Sequence, residues 1–161
     1  MTTAQTKRRA ILSFMLDRSG VLNKVFMLIR RKMINVDTIT ACATQQPGIS
    51  RITLTLREDS DDKALQLIKQ MEKLTEVISA KELDIDQSFW REVAIVKFEA
   101  GSGHLEQLGQ SYNFEILDRQ KHEVVVAQVA GTSLMIDNFM AEIGPDKIIE
   151  VARSGFTAME K

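Results

Sequence analysis

The chain has 161 residues, a formal net charge of −1, and a composition 44% hydrophobic and 27% charged. That is ordinary globular composition with room for one medium domain or two small ones. The near-neutral balance provides no basic face for nucleic acid. Cys42 is the only cysteine, so no internal disulfide can form, which suits a reducing cytosol.

Basic residues precede the apolar stretch Ile11–Leu16, but Asp17 and Arg18 end it early and no small-residue cleavage site follows. A secretory signal is therefore not expected, and no apolar run reaches membrane-span length. The expected localisation is cytoplasmic. Residues 11–16 (ILSFML) read as a strand, apolar on both faces. After the break at Asp17-Arg18-Ser19-Gly20, the residues Val21, Leu22, Val25, Phe26, Ile29 and Met33 recur at helical spacing, with Ser19 as the expected N-cap. Arg30-Arg31-Lys32 then belongs to the last helical turn, where cations favour the dipole. A β-branched run starts at Val36, Gln46-Pro47-Gly48 signals a turn, and residues 51–57 alternate cleanly as a half-buried strand. Asp59 to Asp62 opens a second helix with Leu65, Ile68, Met71 and Leu74 as its buried stripe, and residues 77–83 form a fourth strand.

This β-α-β-β-α-β order is the ferredoxin-like arrangement, with two helices on one face of an antiparallel sheet. The order repeats after a connector at 84–92. A strand at 93–99 leads to a short helix at 102–111 with Leu105 and Leu108. A hairpin of 113–118 and 123–130 turns around Gln120-Lys121-His122. A helix capped by Thr132 carries Met135, Ile136, Phe139, Met140 and Ile143, and a last strand spans 148–152. The fold class expected is α+β, two ferredoxin-like domains in tandem, bounded at 9–83 and 84–161. Domains this small bury modest cores, so oligomerisation is expected. The strand Ile11–Leu16 needs cover on both faces, which points to a homodimer through the first domain.

Catalytic constellations are absent. His104 and His122 are isolated from each other and from Cys42, with no metal-ligand spacing. No nucleophile elbow, Walker loop or dinucleotide fingerprint follows a strand; Gly101-Ser102-Gly103 is a strand-to-helix turn. The acidic run from Glu58 to Asp62 lacks the glycine and spacing of a calcium loop and reads as a helix start.

Three segments are specific together. Asp17-Arg18-Ser19-Gly20-Val21-Leu22, lying between a strand and a helix, resembles the D-R-P-G-V-L loop of ACT domains, and Asn35-Val36 completes that likeness. Ala130-Gly131-Thr132-Ser133 and Ile149-Glu150-Val151-Ala152-Arg153-Ser154-Gly155 resemble the regulatory small subunit of acetolactate synthase (acetohydroxyacid synthase), as do Ser50-Arg51 and Trp90-Arg91-Glu92. The resemblance covers about residues 9–155. It implies a non-catalytic chain that activates a separate catalytic large subunit and mediates feedback inhibition by a branched-chain amino acid, valine first. Thiamine diphosphate, magnesium and FAD would belong to that large subunit, and none to this chain. The pathway implied is valine, leucine and isoleucine biosynthesis. A free-standing ACT-type sensor acting on another enzyme or a transcription factor is the alternative.

The local chemistry suits such an effector. Backbone N–H groups around Gly20, Val21 and Leu22 at a helix N-terminus favour a carboxylate, and Gly20 permits close approach. Asp17 and Asn35 are the candidates for the ammonium. The resemblance adds Ser19 and Cys42 to the site. Cys42 stands where the family has a small residue lining the pocket and is expected as a buried small hydrophobe. The family usually carries Asn at the position of Asp17 and often Pro at that of Ser19. An Asp-Arg-Ser-Gly turn also starts a helix with no ligand at all.

Overall fold

The computed structural model describes residues 8–121 and 123–161, so His122 and the first seven residues lie outside the description. The chain divides into two compact units. One runs to Phe89 and also includes Ala158–Lys161; the other spans Trp90–Thr157.

In the first unit, β1 (Arg8–Leu16), α1 (Val21–Lys32), β2 (Asn35–Ala43), β3 (Ile49–Arg57), α2 (Asp61–Met71) and β4 (Val77–Glu82) follow in order. The sheet is antiparallel with strand order β2-β3-β1-β4. Its register runs Ile11 opposite Leu54 and Leu16 opposite Ile49, while Asn35 lies opposite Arg57 and Ala43 opposite Ser50. Because alternate side chains point to opposite faces, Ile52, Leu54 and Leu56 join Ile11 and Met15 in a core with Val21, Val25 and Ile29 of α1 and Leu67, Ile68 and Met71 of α2. Arg51, Thr53 and Thr55 point the other way.

Local chemistry sets the helix ends. The Ser60 hydroxyl accepts from the Lys63 N–H at 3.3 Å, and Asp61 and Asp62 occupy the first turn of α2. Arg30, Arg31 and Lys32 fill the last turn of α1, and Met33 closes it in a left-handed conformation at φ 54. Two sequence expectations are corrected here. Leu65, placed in the α2 stripe, is 49% exposed, and Ala64 and Leu67 take the inner face instead. Leu22, Phe26 and Met33 of the α1 pattern are exposed, Met33 at 88%, so only Val21, Val25 and Ile29 reach the core. Within Ile11–Leu16, Ile11, Leu12 and Met15 are buried, while Phe14 and Leu16 stay part-exposed.

Arg9 is buried on the helix face of β1. Its Nε donates to the Glu58 carbonyl at 2.7 Å, Nη1 to Glu82 at 2.9 Å, and Nη2 pairs with Asp61. Burial would lower its pKa, but Asp61 and Glu82 outweigh that and raise it, so the guanidinium stays charged.

In the second unit, β5 (Ser88–Glu99) starts inside the expected connector and is followed by α3 (Ser102–Ser111), β6 (Phe114–Arg119), β7 (Val124–Gly131), α4 (Ser133–Ile143), a 3-10 turn at Pro145–Lys147 and β8 (Ile148–Arg153). The strand order is β6-β7-β5-β8. Ala94, Val96 and Phe98 meet Leu105, Leu108, Ile136, Phe139 and Ile143 in its core. The Phe98 and Phe139 rings stand edge to face, 6.3 Å apart. A ninth strand, β9 (Thr157–Glu160), was not expected from the sequence and pairs with β5. Both halves are thus α+β units of the expected helix-and-sheet type.

Leu54 is fully buried at the centre of the first core. Leu54→Ala should lower the unfolding free energy by about 2–5 kcal/mol in urea titration, as large-to-small changes do where the core cannot collapse. A loss below about 1 kcal/mol would show that this packing is loose.

Candidate functional site

The turn between β1 and α1 is built around Gly20, which adopts φ 85 and serves as N-cap of α1. A side chain is strained at such a φ, so glycine is the natural occupant. Ser19, expected as the cap, is not the capping residue, and Gly20, which is, makes no side-chain cap hydrogen bond. The Val21 N–H is turned back to the Arg18 carbonyl at 3.3 Å, so it is not among the free donors. The Leu22 N–H keeps the orientation of a helix N-terminus, where unpaired donors and the dipole favour an anion. The Asp17 N–H is held by the Gly48 carbonyl at 2.8 Å, which pins this loop against the β2–β3 turn.

A cavity of about 280 Å³ opens beneath this turn. Asp17, Ser19, Gly20, Val21 and Leu22 all line it, on one side. Met15, Ala41, Ser50 and Ile52 line it from the sheet. Five of the residues expected from sequence therefore meet at one cleft.

The other two do not join them. Cys42 is exposed, not buried, and lines a different concavity with Phe14 and Arg51. Cys42 stands opposite Arg51 and Ala41 opposite Ile52, so one residue of alternation sends Cys42 to the far face and Ala41 into the cleft. Ala41 is the small lining residue that the sequence reading missed. The alternation of Ile52, Leu54 and Leu56 would have found it, once β2 was registered against β3. Asn35 starts β2 at the opposite end of the sheet, opposite Arg57. At about 3.3 Å per residue, the length of β2 puts it roughly 26 Å from Ala43.

The second unit explains its own motifs. Glu92 at the start of β5 has a side chain 3% exposed. Arg153 at the end of β8 reaches it with Nε at 2.8 Å and Nη2 at 2.6 Å, a two-pronged pair. The Ser133 hydroxyl donates to Glu92 at 2.8 Å, and Arg153 Nη1 donates to Asp137 at 2.6 Å. Hydrogen bonding to Glu92 raises the Arg153 pKa despite burial. The Thr132 hydroxyl accepts from the Met135 N–H at 3.3 Å and caps α4. The Ser154 hydroxyl accepts from the Val93 N–H at 3.0 Å, and Gly155 turns the chain at φ 74. Gly131 leaves room for Met135, whose Cε would lie 2.3 Å from an added Cβ. The three segments singled out in this half thus converge on one buried ion pair at the corner where β5, β7, β8 and α4 meet.

His104 lies on α3 with Nδ1 buried and unpartnered, and no group of three or more His, Cys, Asp or Glu could hold a metal among the described residues. No helix among them is long and apolar enough to cross a membrane.

Residues 11–79 match the family model described as the AHAS small subunit-like ACT domain. With the β2-β3-β1-β4 sheet, two helices on one face and the glycine-led helix start, the first unit is an ACT domain. Residues 91–161 match the model described as the small subunit of acetolactate synthase. The chain is 33% identical over 159 residues to the acetolactate synthase isozyme 3 small subunit of Escherichia coli K12, covering 95% of this chain and 96% of that one. It is 31% identical to the acetolactate synthase small subunit of Bacillus subtilis 168, covering 96% and 91%. The crystal structure of the Thermotoga maritima small subunit shares the fold, with a TM-score of 0.87 and 24% identity over 96% of this chain and 98% of that one. The chain belongs to the acetolactate synthase small-subunit family, the regulatory partners of a catalytic subunit.

Arg153→Ala would leave Glu92 buried without its cation, and breaking a buried pair from one side costs about 3–5 kcal/mol. Thermal and urea unfolding should both show that loss. Replacing both partners, Glu92→Met with Arg153→Met, should recover much of it.

Proposed function

We propose that this chain activates the acetolactate synthase catalytic subunit in the cytoplasm and makes it sensitive to a branched-chain amino acid, valine first, in the synthesis of valine, leucine and isoleucine. Residues 9–83 act as the sensor and residues 84–161 as the second domain of the family type. Thiamine diphosphate, magnesium and FAD are carried by the catalytic subunit. The observation that carries this reading is the helix start without a side-chain cap at Gly20, opening on a cavity of about 280 Å³.

A free amino acid fits that geometry group by group. Its carboxylate takes the first-turn N–H groups beside Gly20 and Leu22, where the helix dipole favours negative charge. Its branched side chain lies on Ala41, Ile52 and Met15 in the cleft. Asp17, Ser19 and Val21 complete the wall. Asn35 enters from a second copy. β2 is the edge of the sheet, with unpaired backbone groups along it. Antiparallel pairing of two β2 strands about a twofold axis sets Asn35 of one copy against Ala43 of the other, beside the cleft that one residue alone could not reach. The exposed stripe of Leu22, Phe26 and Met33 on α1 gives that dimer apolar surface to bury.

The isolated chain should turn over no pyruvate with all three cofactors supplied, and should raise the rate of its cognate catalytic subunit when added. Turnover by the purified chain alone, or no effect on the subunit, would defeat the reading. Sedimentation at micromolar concentration should show a dimer, and Phe26→Lys should shift it to monomer.

Calorimetry should detect valine binding. Gly20→Asp should abolish it, by charge repulsion at the helix start. Asn35→Ala should weaken it about ten- to a hundredfold, the loss of one hydrogen bond to a charged group. Asp17→Asn removes a negative charge from the wall and should strengthen valine inhibition of the reconstituted enzyme. No binding of valine, leucine or isoleucine to wild type or to Asp17→Asn would leave an activator without feedback control.

A further inference from the structure

The chain leaves the first unit after Phe89 and re-enters it at Ala158, so the last four residues pack with the first unit while the preceding segment belongs to the second. These four residues are fastened at several points. The Arg51 guanidinium donates to the Ala158 carbonyl, and Lys81 pairs with Glu160. The Lys161 N–H donates to the Gln87 carbonyl at 3.0 Å, and its ammonium donates to the Asp86 carbonyl at 2.7 Å.

Arg51 stands between Ser50 and Ile52, two residues that line the cleft beneath Gly20. Strand alternation turns Arg51 to the opposite face of β3. There its guanidinium also lies over the Phe14 ring, 5.9 Å from the centroid. Arg51 Nε is buried without a partner among the described residues. The guanidinium is therefore held at one end and unsatisfied at the other. A part-buried, half-satisfied group of this kind responds to small shifts of the strand that carries it, because each bond made or lost at its buried atoms counts.

The geometry points to β9 as a strap coupled to the effector cleft, with Arg51 as the positioning residue that joins the two across the thickness of β3. This inference rests on the reading of the cleft as an amino-acid site. A ligand packed on Ser50 and Ile52 orders β3, and an ordered β3 holds Arg51 in the geometry that binds the Ala158 carbonyl. Docking of the strap then costs less conformational freedom when the cleft is filled. The coupling is reciprocal, so the docked strap must raise effector affinity by the same factor. The strap is one of the two covalent crossings between the units, so tightening it carries the state of the cleft to the residues just before Ala158.

Hydrogen exchange of the full chain, followed on peptides covering residues 155–161, reads this directly. Saturating valine should slow exchange there about fivefold in wild type, the lower end of allosteric coupling. Arg51→Met should exchange roughly tenfold faster without ligand, should lose the response to valine, and should bind valine about fivefold more weakly by calorimetry. Arg51→Lys, which keeps the charge and a donor, should restore part of both effects. If Arg51→Met does not fold, Lys81→Met removes the exposed pair to Glu160 and should blunt the same response. Valine binding with unchanged exchange at 155–161 overturns the coupling and leaves the effector site standing. An undiminished response in Arg51→Met overturns the role of Arg51. Absence of binding by valine, leucine and isoleucine overturns the effector reading and the coupling with it.

Discussion

The alternation of β3 is the constraint on which the first unit rests. This strand lies between β2 and β1, so its two faces set those of both neighbours. Ile52, Leu54 and Leu56 commit one face to the helices, and Arg51, Thr53 and Thr55 follow on the other. A slip of one residue would invert every one of these positions. The same parity puts Ala41 and Ile52 in the cleft, Cys42 outside it, and Arg51 behind it against Ala158.

The start of α1 departs from the starts of two other helices. Ser60 and Thr132 cap α2 and α4 with their hydroxyls, satisfying a donor at each end. At α1, Gly20 brings no side chain and adopts a conformation that other residues resist. The turn therefore starts α1 without a side-chain cap, at the edge of the cavity that Gly20 lines. A Cβ added there would meet no atom within 4 Å, so it is the backbone conformation, and not crowding at that position, that selects glycine.

The second unit shows how short motifs at distant positions serve one structural purpose. Glu92, Ser133 and Arg153 come from β5, α4 and β8 and meet because the β7-β5-β8 order brings the relevant strand ends to one corner. A buried carboxylate must be paired and hydrogen-bonded, and the two-pronged guanidinium with a serine hydroxyl satisfies both oxygens. Gly131, Thr132, Ser154 and Gly155 shape the backbone around that pair. Their role in family likeness is thus a role in holding this corner together.

Much of this was legible in the sequence because it depends on local physics. The 3.6-residue period of Val21, Val25 and Ile29, the acidic start of α2, the Thr132 cap and the alternation of residues 51–57 each act within a few residues of chain, and so they marked the elements and their order. The loop from Asp17 to Leu22 was legible as a strand-to-helix turn for the same reason: its residues are contiguous in the chain, and they line one cavity together. Other features depended on which strands pair, and in what register. Whether Ala41 or Cys42 enters the cleft is a matter of one residue of parity across the β2–β3 pairing, which hydropathy in the small-residue run Thr40–Ala43 does not specify. The exposure of Leu65 was hidden because Ala64, Leu67 and Leu65 are all apolar and only packing against the sheet chooses among them. The pairing of β9 with β5 joins segments far apart in the chain, and its hold on Arg51 spans 107 positions; no local preference of a four-residue strand encodes such partners. Sequence periodicity decides what each segment is; the register of the sheet decides which of its residues meet.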